Sequence, residues 1–237
     1  PGKPAYFAKT SGTTSGAKYI PISKESMPFH ISGARDALLH YVHYSGNSAF
    51  LDQKLIFLSG SPELETKHGI PTGRLSGIVN HHVPGYLRSN QLPTYETNCI
   101  EDWEEKLEAI VQETIQQRMG LISGIPPWVQ MYFDRLMERS GKKIKDLFPN
   151  FSVMVHGGVN FEPYRAKLFD SIGKKIDSFV LYKGLHFRRY FAGYSLIREY
   201  FVKNISSKLN DFADQDLKII DSKKINENNI IVSTKVF

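Results

Sequence analysis

The chain has 237 residues, of which 41% are hydrophobic and 23% charged, with a formal net charge of +6. That composition supports a folded core and excludes a disordered tail or a fibre. No apolar run approaches the roughly 20 residues of a membrane-spanning helix, no signal-peptide pattern opens the chain, and a single cysteine, Cys99, excludes an internal disulfide and argues against a Cys-based zinc site. A cytoplasmic protein without a membrane partner is the expectation. The basic excess gives no case for nucleic acid, because acidic residues are interleaved with the basic ones and no zinc-finger or RNA-binding signature occurs.

In chain order, Ala5 to Ala8 reads as a strand that runs into a loop of Gly, Ser and Thr at residues 10–17. Tyr19 to Ile22 is extended, with Pro21 suited to an edge. Ser23 is placed to N-cap a helix to about His43, with Glu25 in its first turn and Pro28 near its start. Leu55 to Leu58 is a continuous apolar run, the pattern of a strand buried on both faces. Residues 59–98 are rich in Gly, Pro, His and Asn and read as a long, mostly irregular connection.

Glu101 to Gln117 has apolar residues near helical spacing, Trp103, Leu107, Ile110, Val111 and Ile115 among them. A short strand is expected over Gly120 to Gly124. Pro126 and Pro127 then open a helix to about Ser140, with Gly141 at the C-cap. Phe151 to Val155 is a strand ending in His156-Gly157-Gly158. A helix from about Glu162 to Ile172 leads through Gly173 to a strand near Ile176. Such alternation predicts an α/β fold with a mostly parallel sheet covered by helices. Ligands bind such sheets beyond the carboxyl ends of the strands. Both Gly-rich turns, at 10–18 and 156–159, are expected at exits of that kind.

The tail reads differently. Residues 1–178 carry a net charge of +2 and residues 179–237 a net of +4; all 12 prolines lie at or before Pro163, and 16 of the 18 glycines lie before residue 179. A helix over Phe187 to Phe201 and a strand over Ile230 to Val232 are the elements expected there. The expected division is a domain over 1–178 and a tail over 179–237.

The segment with most chemistry is Lys9 to Ser23, KTSGTTSGAKYIPIS. Thr10, Ser11, Thr13 and Thr14 surround Gly12, followed by Ser15, Gly16 and Lys18. Glycines let backbone N–H groups approach an anion, hydroxyls donate further hydrogen bonds and a lysine adds positive charge. Residue types alone leave two readings, a phosphate cradle or a hydroxyl-rich turn between strands. The P-loop is excluded, because Gly12 to Gly16 is one residue too short and Lys18 precedes Tyr19.

The order of these residues is similar to the TSGTTGxPK signature of the adenylate-forming superfamily. TSGTTSGAKYIP more closely resembles the first nucleotide motif of the auxin-responsive acyl-acid amido synthetases, the Gretchen Hagen family. Leu75-Ser76-Gly77-Ile78, Gly124-Ile125-Pro126-Pro127-Trp128 and Leu147-Phe148-Pro149-Asn150 leading to His156-Gly157-Gly158 extend the resemblance over residues 1–178. It implies part of the large N-terminal domain of such enzymes, using ATP and Mg2+ to adenylate a small carboxylic acid and then form an amide with an amino acid. It also implies phosphate contacts at Thr10, Ser11, Gly12, Thr13, Thr14, Ser15 and Gly16, a catalytic role for Lys18, and a Gly157-Gly158 turn lying against adenine. An acid–CoA ligase of the same superfamily and a non-catalytic nucleotide-binding remnant are the alternatives.

The resemblance stops near residue 178. The family continues into a Ser-Glu motif that holds magnesium and an Arg-Tyr-x-x-Gly-Asp motif that grips ribose. Here Phe179-Val180-Leu181-Tyr182-Lys183 follows Ser178, and Tyr194 stands in place of the aspartate after Arg189-Tyr190-Phe191-Ala192-Gly193. The abrupt change of composition points to a frameshifted or fragmentary tail rather than a divergent domain or a truncation. Of the remaining candidates, the pair His81-His82 has no carboxylate or Cys at ligand spacing and reads as non-metal. His156 reads as a hydrogen-bonded core histidine, and Trp128 as core packing or a pocket wall.

Overall fold

A computed structural model describes residues 3–10, 17–83, 85–181 and 229–232. Ten strands form two sheets. The small sheet contains β1 (Tyr6–Thr10), β2 (Lys18–Ile22), β4 (Glu65–Lys67) and β5 (Ile70–Gly73), in the order β2-β1-β5-β4. The large sheet contains β3 (Lys54–Phe57), β6 (Gln91–Leu92), β7 (Met119–Gly124), β8 (Val153–His156), β9 (Asp177–Leu181) and β10 (Asn229–Val232), in the order β10-β9-β8-β7-β3-β6. Every neighbouring pair in the large sheet is parallel.

A parallel sheet needs cover on both faces, and its strands supply apolar side chains to both. Leu55, Leu121 and Val153 point into one cluster, while their successors Ile56, Ile122 and Met154 enter the other. The larger cluster is covered by α5 (Trp103–Thr114), α6 (Pro126–Ser140) and α8 (Glu162–Ile172), with α7 (Ile144–Leu147) adding Ile144. On the opposite face, α1 (Met27–Ser45) contributes Tyr41 and a 3-10 turn at Ala49–Asp52 contributes Phe50. Each large side chain so withdrawn from water favours the fold by roughly 1.5–3 kcal/mol.

The helices have local causes. The Asp102 carboxylate accepts the Glu105 amide at 2.9 Å and opens α5. Two prolines occupy the first turn of α6, where no backbone donor is needed, and Gly141 closes it at φ 68°. Gly173 ends α8 in the same left-handed way, at φ 75°. Helix α1 starts later than expected. Ser23 caps a turn instead, accepting from the Ser26 amide at 3.2 Å, so Glu25 precedes the helix that begins at Met27.

The connection at 59–98 is more ordered than its composition suggests. It holds β4, β5 and β6 together with α2 (Leu75–Asn80), α3 (Gly85–Arg88) and α4 (Tyr95–Cys99). Each is six residues or shorter, too brief for a periodicity to register. The expected strand at Ile230 to Val232 is present as β10, which pairs with β9 from Asn229↔Ser178 to Val232↔Leu181. The helix expected at Phe187 to Phe201 lies outside the described residues.

A polar strap fastens α1 to the amino end of the large sheet. The Tyr41 hydroxyl donates to Asp177 Oδ2 at 2.6 Å, and Asn47 Nδ2 donates to the Tyr41 oxygen at 3.1 Å and to Ser152 Oγ at 3.2 Å. Burial, with Asp177 second, pushes the Tyr41 phenol up to about 12. Removing that hydroxyl leaves Asp177 and Asn47 short of a partner. Tyr41→Phe is expected to cost about 1–2 kcal/mol, read as a lower urea midpoint at unchanged slope; an unchanged midpoint would show that the strap contributes nothing net.

Candidate functional site

Three strand exits lie side by side at the carboxyl edge of the large sheet. Phe57 is in register with Ser123, and Gly124 with His156, so the turns after β3, β7 and β8 are neighbours. The third exit is the Gly157-Gly158 turn expected from the sequence. Gly158 has φ 83°, which favours glycine, and a Cβ there would stand 3.0 Å from Ile125 Cγ2. Gly158 is therefore required both by the backbone shape and by the close approach of Ile125.

The hairpin turn sits elsewhere. Residues 10–18 were expected at an exit of the parallel sheet; instead they join β1 to β2, antiparallel strands of the small sheet, with Thr10 opposite Lys18. The reason is the antiparallel pairing of β1 with β2, which keeps both flanking strands in the small sheet. Thr10 is half-buried and Lys18 exposed, with no hydrogen bond or ion pair from the Lys18 ammonium among the described residues. Ser11, Gly12, Thr13, Thr14, Ser15 and Gly16 lie outside the described residues. Beside the hairpin, β5 runs parallel to β1 with Ala8 opposite Gly73, so Arg74 follows the strand adjacent to the one that enters the turn.

The loop from Ser59 to Leu64 joins the two sheets. The His81 ring donates from Nε2 to the Pro62 carbonyl at 2.7 Å, Leu64 Cδ2 covers Gly73, and the Ser61 carbonyl fills the space a Cβ on Gly77 would need. His82 Nε2 lies 3.1 Å from the Tyr6 hydroxyl. Both histidines are thus engaged in holding the second sheet. Trp128 packs on the larger core and stacks with Trp103 at 4.6 Å and 27°. Packing accounts for it.

Two buried polar groups mark this edge. His156 is 3% exposed and stacks on Phe161, ring centroids 3.9 Å apart, yet neither ring nitrogen has a hydrogen-bond partner. The expected core position is observed, and the expected hydrogen bond is not. Phe161 covers one face of the ring, and neither nitrogen meets a donor or acceptor among the described residues. Burial, with the Arg165 charge second, lowers its pKa from 6.5 to about 4. Lys106 on α5 is also 3% exposed, and its ammonium donates to the Ser59 and Asn98 carbonyls at 3.1 and 2.6 Å. Burial lowers its pKa to about 8; Cys99 works against that shift and Arg74 adds to it. Sequence reading missed Lys106; a lysine on the apolar stripe one residue before Leu107 was the available signal.

Residues 1–97 and 75–176 match the GH3 family N-terminal domain, and the chain belongs to that family. A solved structure of AtGH3.15 acyl acid amido synthetase in complex with 2,4-DB is similar with a TM-score of 0.55 at 10% identity, over 76% of this chain and 41% of that one. A second structure, of the GH3.15 acyl acid amido synthetase, gives a TM-score of 0.53 at 13% identity, over 76% of this chain and 40% of that one. The chain thus spans about two fifths of the length of these solved relatives, and at such identities the likeness is one of fold. No curated protein matches the sequence. Among the described residues no helix is long and apolar enough to cross a membrane.

His156 supplies a test of the edge. The folded ring resists protonation that the unfolded ring accepts below pH 6.5, so between pH 6.5 and 4 the unfolded chain binds more protons and stability falls on acidification, by on the order of 3 kcal/mol in full. His156→Leu removes both this slope and the cost of two unpaired nitrogens. It is expected to raise the melting temperature at pH 7 and, by a wider margin, at pH 5; a lower melting temperature at both would show that the imidazole is satisfied.

Proposed function

We propose that this chain carries the nucleotide- and acid-binding part of an acyl acid amido synthetase. The reaction is ATP-dependent adenylation of a small carboxylic acid, with amide formation to an amino acid as the second step. The observation that carries the reading is the string TSGTTSGAKYIP, between the paired strands β1 and β2, in a chain of the GH3 family. Membership of that family supports the reaction class, and two similar solved structures being acyl acid amido synthetases favours amide formation over thioester formation.

The chemistry asks little of covalent catalysis. A carboxylate attacks the α-phosphorus of ATP and pyrophosphate leaves, so the protein must position the two anions and offset the charge that develops. In this reading the hydroxyls and amides of Thr10 to Gly16 hold phosphate oxygens. Lys18, across the strand pair from Thr10 and without another partner among the described residues, supplies the charge. The Gly157-Gly158 turn accepts the adenine ring. The described residues contain no group of three His, Cys, Asp or Glu placed to hold a metal ion.

Exchange of labelled pyrophosphate into ATP, dependent on an added acid, tests the first step. The expected result is exchange with the wild-type chain and a loss of roughly tenfold or more in Lys18→Ala, with an unchanged melting temperature because Lys18 is exposed. ATP binding without acid-dependent exchange would support the non-catalytic alternative for this chain. Unchanged ATP affinity in both Lys18→Ala and Thr13→Ala would remove the cradle.

A further inference from the structure

Three connections cross the large sheet on one face, all stepping the same way along it. The chain passes from β6 to β7 through α5, from β7 to β8 through α6 and from β8 to β9 through α8, and all three helices pack on the larger core. The next strand in that direction is β10, parallel to β9. Parallel neighbours need a crossover of about a dozen residues or more, and about 98% of such crossovers are right-handed. Residues 182–228, which lie outside the described residues, join β9 to β10. The hand shared by the other three connections takes this one over the same face, beyond α8.

The flank of α8 on that side is unlike the flank that meets α6. Toward α6, Lys167 donates to Asp134 Oδ2 at 2.6 Å, and Gln130 Nε2 donates to Ser171 Oγ at 3.1 Å. On the far flank Arg165 and Phe169, four residues apart, line a groove with Gly173, Lys174 and Lys175. Phe169 is half-buried against the larger core and meets the Phe161 ring edge-on at 6.4 Å. Arg165 pairs with Glu162 and lies over the Phe161 ring, and the Lys174 ammonium donates to the Pro149 carbonyl at 2.6 Å. Lys175 is exposed, with no hydrogen bond or ion pair among the described residues. The acids of α8 are already engaged, Glu162 by Arg165 and Asp170 by Lys143 at 2.9 Å. The groove thus has an apolar floor at Phe169 and a positive rim.

The connecting segment holds one stretch of the opposite character. Asp211-Phe212-Ala213-Asp214-Gln215-Asp216-Leu217 sets three aspartates around two large apolar residues, with no lysine or arginine, in a tail that is otherwise basic. We infer that the groove beside α8 is the docking surface for residues 211–217 of this same chain. Handedness brings the segment to this face, Phe212 and Leu217 cover the floor at Phe169, and the aspartates meet Arg165, Lys174 and Lys175. Exposed ion pairs add little each, so apolar burial supplies most of the hold and the charges select which stretch is held. Residues 182–228 then belong to the same folding unit as residues 1–178 instead of standing apart as a tail. The inference goes beyond the adenylation reading and does not rest on it.

The test uses the full chain. A carbodiimide, which joins an ammonium to a carboxylate it touches, is applied to the monomer, and the joined residues are identified by peptide mass spectrometry. The expected product is an amide between Lys174 or Lys175 and Asp211, Asp214 or Asp216. Chymotrypsin cleavage after Phe212 is followed in parallel. It is expected to be roughly tenfold slower in the chain than in a free peptide of residues 205–220. Lys175→Glu changes an exposed side chain and is expected to speed that cleavage roughly threefold; adding Asp214→Lys to it restores the wild-type rate. Absence of the amide overturns the inference, as do cross-links from 211–217 that reach lysines outside the groove or form between two copies. A cleavage rate equal to that of the free peptide, or equal rates in wild type, Lys175→Glu and Phe169→Ala, overturns it as well.

Discussion

The structure depends on one requirement: a six-stranded parallel sheet must have both faces removed from water. Consecutive residues of each central strand divide between two cores, Leu55 from Ile56, Leu121 from Ile122, Val153 from Met154. Three long helices seal one face. The other face relies on α1 and the 3-10 turn, whose Tyr41 and Phe50 close over Phe179 and Leu55. Without that second cover the central strands would expose a continuous apolar surface, and the alignment of strand exits that shapes the carboxyl edge would be lost.

The two edges of the sheet treat polar groups differently. At the amino edge every member of the Tyr41–Asp177–Asn47–Ser152 strap has a partner, so the network adds stability. At the carboxyl edge, among the described residues, His156 has none and Lys106 pairs with no carboxylate. Satisfied polar groups are the rule in folded proteins, and exceptions collect where a ligand or a reaction needs them. Stability has been given up at the edge where the parallel strands end, the same edge that ligands use in folds of this architecture.

The short loop from Ser59 to Leu64 couples that edge to the small sheet. It takes the Lys106 ammonium at one end, passes under Arg74 at Gly60, and packs against Gly77, His81 and Gly73 further on. The hairpin turn that carries the proposed phosphate contacts grows from that small sheet. A single loop therefore links the carboxyl edge of the large sheet to the small sheet. Glycine serves it twice, at Gly60 and Gly77, because in both places a Cβ would collide with a neighbour.

The long elements were legible in the sequence because their signals are local. Two prolines and a glycine bound α6, Glu162 and Gly173 bound α8, and the apolar run at Leu55 marks a strand buried on both sides. The hydroxyl-rich string and its family resemblance were likewise readable, and so was the Gly157-Gly158 exit. The short strands and helices of residues 59–98 were not, since two to six residues carry no period. Only the tertiary structure decided that the strands flanking the hydroxyl-rich string belong to a separate sheet, that His156 is left without a hydrogen bond among the described residues, and that Arg74 and Lys106 flank one peptide. Those facts depend on which residues distant in sequence become neighbours, and pairing across a sheet or burial beside a loop leaves no trace in the order of residues along either segment.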